Sequence, residues 1–214
     1  GSLVPLEGEQ VVASSFITSV FQELANEKNQ KILEEQREVT FAKSIENNLR
    51  FKISCFYQKG QLSMSFRHIT GAVPRLEDLG LPKSVSQFAE LHKGLLLVCG
   101  PFDAGRTTTA AALIETINQT QARHIVTIEK PIEYVFTSVK SIVEQRLVGE
   151  DTISFEKALQ YIQHEDFDIV YLSELDDPEV IKAALSVVEA GHLVIAVSGA
   201  ESSIKAVEHL IEIF

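Results

Sequence analysis

The sequence is poor in cysteine, in basic residues and in long apolar runs, and each shortage excludes a class of protein. Its two cysteines, Cys55 and Cys99, each lie inside an apolar run, so we predict two buried thiols in a reducing compartment rather than a disulfide framework. Lysine and arginine number 19 against 30 acidic residues, and the formal net charge of -11 argues against general nucleic-acid binding. Because no apolar run approaches the roughly 20 residues of a membrane-spanning helix, we expect no direct membrane insertion.

The first third of the chain predicts a small α+β unit over residues 3–69. From Gly8 to about Arg37, apolar residues recur at four-residue spacing, which predicts one helix. Two alternating strands follow, joined by a turn at 58–60, and their apolar faces carry Phe51, Ile53, Cys55 and Tyr57, then Leu62, Met64 and Phe66. The turn-rich stretch 70–82 is predicted to link this unit to the remainder of the chain.

Residues 83–214 predict an α/β domain built on a parallel sheet. The apolar run 95–99 has the pattern of a strand that is buried on both faces. Further apolar strands at 125–128, 168–172 and 193–197 alternate with helical patterns, which is typical of a doubly wound fold.

A loop with phosphate-binding spacing lies between the first of these strands and a helix. Residues 100–108 read Gly-Pro-Phe-Asp-Ala-Gly-Arg-Thr-Thr, close to the pattern G-x-x-x-x-G-K-[ST], whose backbone N–H groups cradle phosphates. Both glycines and the hydroxyl are present, but Arg106 stands at the lysine position and Asp103 lies within the cradle. A planar guanidinium is not equivalent to a compact ammonium, and aspartate adds a negative charge where glycine would give free access to positive φ.

Three further segments occur in the order and spacing of one family. Residues 127–134, 172–177 and 190–194 resemble the acidic box, the Walker B strand and the histidine box of the type II/type IV secretion ATPases, with the pilus-retraction branch the most similar. The resemblance extends from about Val11 to Phe214. It implies a RecA-like phosphate-loop NTPase domain preceded by a partial PAS-like domain. It also implies cytoplasmic hexameric rings of homologous ATPase subunits that act with pilus or secretion platform proteins of the inner membrane.

The same resemblance implies roles for individual residues. Glu133 corresponds to the catalytic glutamate that orients water, Glu174 to the Walker B glutamate, and His192 to the first histidine of the histidine box. ATP and Mg²⁺ are the implied ligands, with Thr107 and Glu174 at the metal. Nucleotide binding is implied for Gly100, Gly105, Arg106, Thr107 and Thr108, and phosphate sensing for Arg50 and Arg67. Taken alone, these residues also fit structural roles: acids at strand ends, a histidine at a strand start and a solvated basic face.

Departures from the family motifs fall across the whole implied site. Lys130 replaces an aspartate of the acidic box, Asp176 and Asp177 stand where an arginine follows Walker B, and 197–200 lacks the second histidine. With Asp103 and Arg106, they favour a degenerate homologue that acts as an accessory or regulatory subunit with impaired ATP binding and hydrolysis. Two alternatives stay open: an active pilus-retraction or type II secretion motor that uses Arg106 in place of lysine, and a sensor of another small phosphate ligand.

Overall fold

The computed structural model describes residues 4, 8, 12–45, 49–69 and 72–213, and its contacts divide the chain into two units, 1–69 and 70–214. The predicted boundaries at residues 3, 70 and 214, and the predicted helical residues 9–11, lie outside the described residues. Over the described ranges, every helix is too short or too polar to span a bilayer.

The first unit packs two helices on an antiparallel sheet in the order β1-β2-β3. Its elements are α1 (Ser14–Leu24), α2 (Glu27–Gln36), β1 (Glu38–Ile45), β2 (Leu49–Gln58) and β3 (Gln61–Ile69). Cys55 lies opposite Met64 and Ile53 opposite Phe66, so the two strands share the predicted apolar face. Lys59 and Gly60 have φ values of 50° and 78°, as a two-residue hairpin turn requires.

Two predictions for this unit were wrong. The single predicted helix is two helices, because the Asn26 side chain accepts a hydrogen bond from the N–H of Asn29 at 2.8 Å and so caps a new helix. The sheet has three strands rather than two, since all of β1 pairs with β2. Strand β1 was missed because its apolar pattern is short: of its residues, only Val39 and Phe41 are buried.

The second unit is a three-layer α/β domain, as predicted. Its five-stranded sheet is parallel throughout, in the order β4-β8-β7-β5-β6. One face is covered by α3 and the opposite face by α4, α5 and α6. The elements are β4 (Gly94–Cys99), α3 (Arg106–Thr120), β5 (His124–Glu129), β6 (Ile142–Leu147), α4 (Phe155–Ile162), β7 (Ile169–Leu172), α5 (Pro178–Glu189), β8 (Leu193–Ser198) and α6 (Ser203–Glu212).

Burial differs between the strands of this sheet. All residues of β7 and β8 are buried, whereas those of β4, predicted to be buried on both faces, are half-buried. Within the described part of the chain β4 lies at one edge and pairs only with β8, so its side chains have fewer neighbours. Cys99 is accordingly half-buried, while Cys55 is buried as predicted, and burial raises the pKa of its thiol to about 11.

Asp177 begins α5 as its N-cap. Its carboxylate accepts hydrogen bonds from the N–H groups of Glu179 at 2.8 Å and Val180 at 3.3 Å, and Pro178 occupies the first turn. We expect Asp177→Ala to lower the free energy of unfolding by about 1 kcal/mol, and Asp177→Asn, which can still cap, to change it much less. Urea denaturation checks this, and equal losses in both variants would contradict the capping role.

Candidate functional site

The site that the family resemblance implies lies along the edge of the parallel sheet at which the strands end. Because all five strands run in the same direction, the segments that follow them begin at the same edge, which is where α/β folds bind ligands. Cys99 at the end of β4 lies beside Ser198 at the end of β8, and Leu172 of β7 lies beside Ile128 of β5. The phosphate loop, Glu174 and Glu133 follow these strand ends.

The loop from Gly100 to Gly105 joins β4 to α3, which is the setting of a phosphate-binding loop. Gly105 has a φ of 82° and leads directly into α3. A Cβ atom at Gly100 would lie 3.2 Å from the Cβ of Ala104, so a side chain there would crowd the loop. Asp103 has a φ of 65°, the left-handed conformation in which glycine is free of strain and aspartate is tolerated. The sequence predicted a conflict at Asp103 between backbone, charge and phosphate. In the structure this residue has the positive φ that favours glycine, and its exposed side chain carries a carboxylate.

Arg106 is bonded to the neighbouring strand end. Its Nη1 donates a hydrogen bond to the backbone carbonyl of Ser198 at 2.6 Å, and the side chain is half-buried. A charged donor to a carbonyl makes one of the stronger protein hydrogen bonds. One arm of the guanidinium is therefore held by β8 rather than directed into the cradle.

The first turn of α3 supplies two hydroxyl groups. Thr107 is half-buried at the position implied for magnesium. The hydroxyl of Thr108 lies 3.1 Å from that of Tyr134, a residue of the segment that follows β5. The beginning of α3 is thereby bonded to the segment that carries Glu133.

A buried carboxyl group that the sequence did not single out lies at the end of β5. Glu129, the last residue of β5, is 2 % exposed and accepts hydrogen bonds from the Thr127 hydroxyl at 2.7 Å and the Gln145 amide at 2.9 Å. Burial raises the pKa of Glu129 to about 7, the two hydrogen bonds oppose the rise, and the nearby Glu133 carboxylate adds to it. Glu129 could have been found from the sequence, because it is a carboxyl group at the end of a largely apolar strand.

Gln145 and Tyr171 complete this polar cluster. The Gln145 amide also donates to the carbonyl of Tyr134 at 2.9 Å, and its oxygen accepts the N–H of Phe136 at 2.8 Å. The hydroxyl of Tyr171 is buried without a hydrogen-bond partner among the described residues, and its pKa is raised well above 10 by burial and by the Glu129 and Glu133 carboxyl groups.

Glu133 and Glu174 both lie at the loop edge of the sheet. Glu133 is half-buried, and its backbone N–H donates to the Glu129 carboxylate. Glu174 is exposed two residues after the end of β7. The structure thus places the two implied acids on the side of the sheet that carries the phosphate loop.

The structure does not bring His192 to this site. It immediately precedes Leu193, the first residue of β8, so it lies at the opposite edge of the sheet from Ser198. Its ring stacks on Phe167 with the centroids 4.2 Å apart, and its carbonyl accepts the N–H of Gly94. The resemblance implied catalysis for this histidine, but its surroundings are those of a packing residue at a strand start.

Several departures from the family motifs have structural partners. The Asp176 carboxylate accepts hydrogen bonds from the Ser198 hydroxyl at 3.1 Å and the Gly199 N–H at 3.0 Å. Lys130 is exposed, and its backbone N–H donates to the Ser173 hydroxyl at 3.0 Å. Asp176 therefore joins the segments that follow β7 and β8.

Arg50 and Arg67 belong to the first unit. Arg50 donates to the Ser44 hydroxyl at 3.2 Å, and Arg67 lies opposite Lys52 in the β2–β3 register. Since Arg50 and Lys52 are two residues apart on one strand, the three cationic side chains share a face of the small sheet.

A family model described as "Type II/IV secretion system protein" matches residues 60–213. The chain belongs to this family. The type IV pilus retraction ATPase PilT of Pseudomonas aeruginosa is 36% identical over 213 residues, which are 100% of this chain and 60% of that protein. A twitching motility protein of Neisseria gonorrhoeae is 37% identical over 213 residues, 100% of this chain and 55% of that protein.

This secretion-family chain is also similar to a solved structure. The crystal structure of the pilus retraction motor PilT with bound ADP aligns with a TM-score of 0.84 at 39% identity, covering 92% of this chain and 57% of that one. The predicted family and the α/β fold with a parallel sheet are confirmed. The secretion-family chain spans somewhat more than half the length of these relatives.

The donor set fits a nucleotide and a magnesium ion only in part. A threonine hydroxyl and a carboxylate, from Thr107 and Glu174, are oxygen ligands of the kind Mg²⁺ prefers. Over the described ranges no three histidine, cysteine or acidic side chains converge as a metal site, so such an ion would depend on phosphate oxygens as well. A carboxylate at position 103 of the phosphate-loop motif does not suit a polyphosphate, because like charges repel.

Proposed function

We propose that this chain comes from an accessory or regulatory relative of the pilus and secretion ATPases, in which ATP binding and hydrolysis are impaired. The observation that carries the proposal is the state of the loop: Asp103 adds a carboxylate at positive φ, while one arm of Arg106 is bonded to the Ser198 carbonyl. The two residues change the cradle in the same direction, because one repels phosphate and the other holds the positive charge elsewhere.

The charge at Asp103 is large enough to decide whether nucleotide binds. One pair of like charges ~4 Å apart costs about 1 kcal/mol in water and about 4 kcal/mol at a partly buried site. Micromolar binding corresponds to only about 8 kcal/mol. Asp103 is exposed, so the smaller cost applies to each pair, and the several charges of a triphosphate together bring micromolar binding toward millimolar.

Isothermal calorimetry with Mg-ATP tests this proposal. We expect the unaltered protein to bind with a dissociation constant of about a millimolar or weaker. Asp103→Asn is the matched variant, because asparagine also tolerates positive φ and removes only the charge. It should bind more tightly than the unaltered protein. Micromolar binding by the unaltered protein would contradict the proposal.

An active ATPase motor is the second candidate, favoured by the retained acids at the loop edge. Glu133 would orient the attacking water, Glu174 and Thr107 would hold Mg²⁺, and Arg106 would turn from Ser198 to the phosphates. In that case Glu133→Gln or Glu174→Gln should reduce steady-state phosphate release about 100-fold or more, whereas His192→Gln should have little direct effect on catalysis. No release from the unaltered protein alone, and no release above that of active relatives when it is mixed with them, would rule out this motor.

The wider setting is also a proposal. PilT of Pseudomonas aeruginosa is described as a type IV pilus retraction ATPase, which supports a place for this chain in the cytoplasm beside an inner-membrane pilus or secretion platform. We propose that it contacts homologous ATPase subunits in a ring, with Arg50 and Arg67 of a PAS-like unit facing a phosphate group. Light scattering of the protein, alone and mixed with an active relative, tests this assembly. A protein that stays monomeric in both would contradict it.

A further inference from the structure

Three departures from the family motifs are bonded to one another. Asp176 follows the Walker B strand, Ser198 and Gly199 occupy the segment without the second histidine, and Arg106 replaces the loop lysine. In sequence they are far apart, with a separation of 92 positions from Arg106 to Ser198. In the structure they form one continuous set of hydrogen bonds.

A single peptide group stands at the centre of this set. The Ser198–Gly199 peptide donates its N–H to the Asp176 carboxylate at 3.0 Å and accepts the Arg106 Nη1 at its carbonyl at 2.6 Å. The Ser198 hydroxyl makes a second bond to the same carboxylate oxygen at 3.1 Å. Because a charge lies at each end, the two bonds of the peptide polarise one another and strengthen together.

Gly199 leaves room for the carboxylate of Asp176. A Cβ atom on Gly199 would lie 3.2 Å from Asp176 Oδ2 and 3.6 Å from Oδ1, so a side chain here would force the carboxylate to shift. An aspartate at 176 and a glycine at 199 thus suit one another.

We propose that Asp176 is a positioning residue for Arg106. Acting through the Ser198–Gly199 peptide, it holds the guanidinium at the end of β8 and so limits the positive charge available to a phosphate in the loop. The consequence for phosphate binding rests on the nucleotide site proposed above. The positioning of Arg106 does not, and it can be measured without nucleotide.

The first experiment measures the reactivity of Arg106 toward phenylglyoxal by peptide mass spectrometry. We expect Asp176→Ala to raise its rate of modification about fivefold, and Asp176→Asn, which keeps an acceptor oxygen but no charge, to raise it less. Asp177→Asn is the matched control, because it removes the same charge one residue away, keeps the cap of α5 and should leave the rate unchanged.

Two half-buried arginines of the same unit serve as controls. They distinguish the positioning of Arg106 from a general loosening of the unit. Arg123 is paired with Asp168, and Arg146 with Glu165 and Glu144. If Asp176→Ala raises the reactivity of Arg106 alone, the positioning role stands. Equal Arg106 rates in the Asp176→Ala and Asp177→Asn variants, or a parallel rise at Arg123 and Arg146, would overturn it.

A second experiment titrates Mg-ADP into the same variants and the loop variant Asp103→Gly/Arg106→Lys. We expect Asp176→Ala to bind about threefold to tenfold more tightly than Asp177→Asn. Equal tightening in both would mean a general charge effect and would overturn the link to phosphate binding. Arg106 exposure without nucleotide binding in any variant would leave Asp176 as the positioning residue and would reject the proposed nucleotide site.

Discussion

Replacing Glu129 with glutamine should raise the free energy of unfolding above that of the parent by an amount that depends on pH. The increase should grow from near zero at about pH 4.5 to about 3 kcal/mol at about pH 8. Burial raises the pKa of this carboxyl group from 4.5 to about 7, and each pKa unit corresponds to about 1.4 kcal/mol. Between these values the unfolded chain loses the proton while the folded protein keeps it. The parent therefore loses stability as pH rises through this window and changes little above it.

The glutamine variant carries no titrating group at this position, so its stability should lack that contribution. An amide oxygen can still accept hydrogen bonds from Thr127 and Gln145. Tyr171→Phe is a suitable control, because it alters the same buried cluster but leaves the carboxyl group in place, and the Tyr171 hydroxyl titrates well above 10. Urea denaturation at several pH values measures the effect. A difference between Glu129→Gln and the parent that is equal at about pH 5 and about pH 8 would contradict a buried, neutral Glu129.

The double substitution Asp103→Gly with Arg106→Lys should tighten Mg-ATP binding at least tenfold, about 1.4 kcal/mol. Glycine adopts the φ of 65° without strain, and its introduction removes the carboxylate from the cradle. Lysine restores the compact, flexible ammonium that phosphate loops use.

The single variants separate the two causes. Asp103→Asn removes charge and keeps a side chain that tolerates positive φ, so it isolates electrostatic repulsion. Arg106→Lys alone keeps the repulsion and should gain less. Binding is measured by calorimetry. No gain in the double variant would mean that the geometry of the loop, rather than these two residues, prevents binding.

Much of the fold could be predicted from local pattern. The apolar strands, the strand–loop–helix setting of the phosphate loop and the β2–β3 hairpin are short-range features, and each was found where it was expected. The errors occurred where a local pattern was weak or interrupted. The break between α1 and α2 depends on the cap at Asn26, and β6 was not predicted as a strand because it carries Glu144, Gln145 and Arg146 at a sheet edge.

The site could be predicted in its residues but not in its contacts. The loop, Glu133 and Glu174 were located by motif, and the structure places them at one edge of the sheet. His192 matched a motif as well, yet strand direction puts it at the opposite edge. The bonds from Arg106 to Ser198, and from Ser198 and Gly199 to Asp176, depend on the register of distant parallel strands, which periodicity does not encode.

A structure from crystals of the protein grown with Mg-ATP tests most directly whether the altered phosphate loop impairs nucleotide binding. We expect the cradle from Gly100 to Thr108 to be empty in the unaltered protein, with Arg106 still bonded to the Ser198 carbonyl. In Asp103→Gly/Arg106→Lys under the same conditions, we expect nucleotide in the cradle. Nucleotide bound in the unaltered protein, with Arg106 turned onto its phosphates, would contradict impaired binding and favour an active motor.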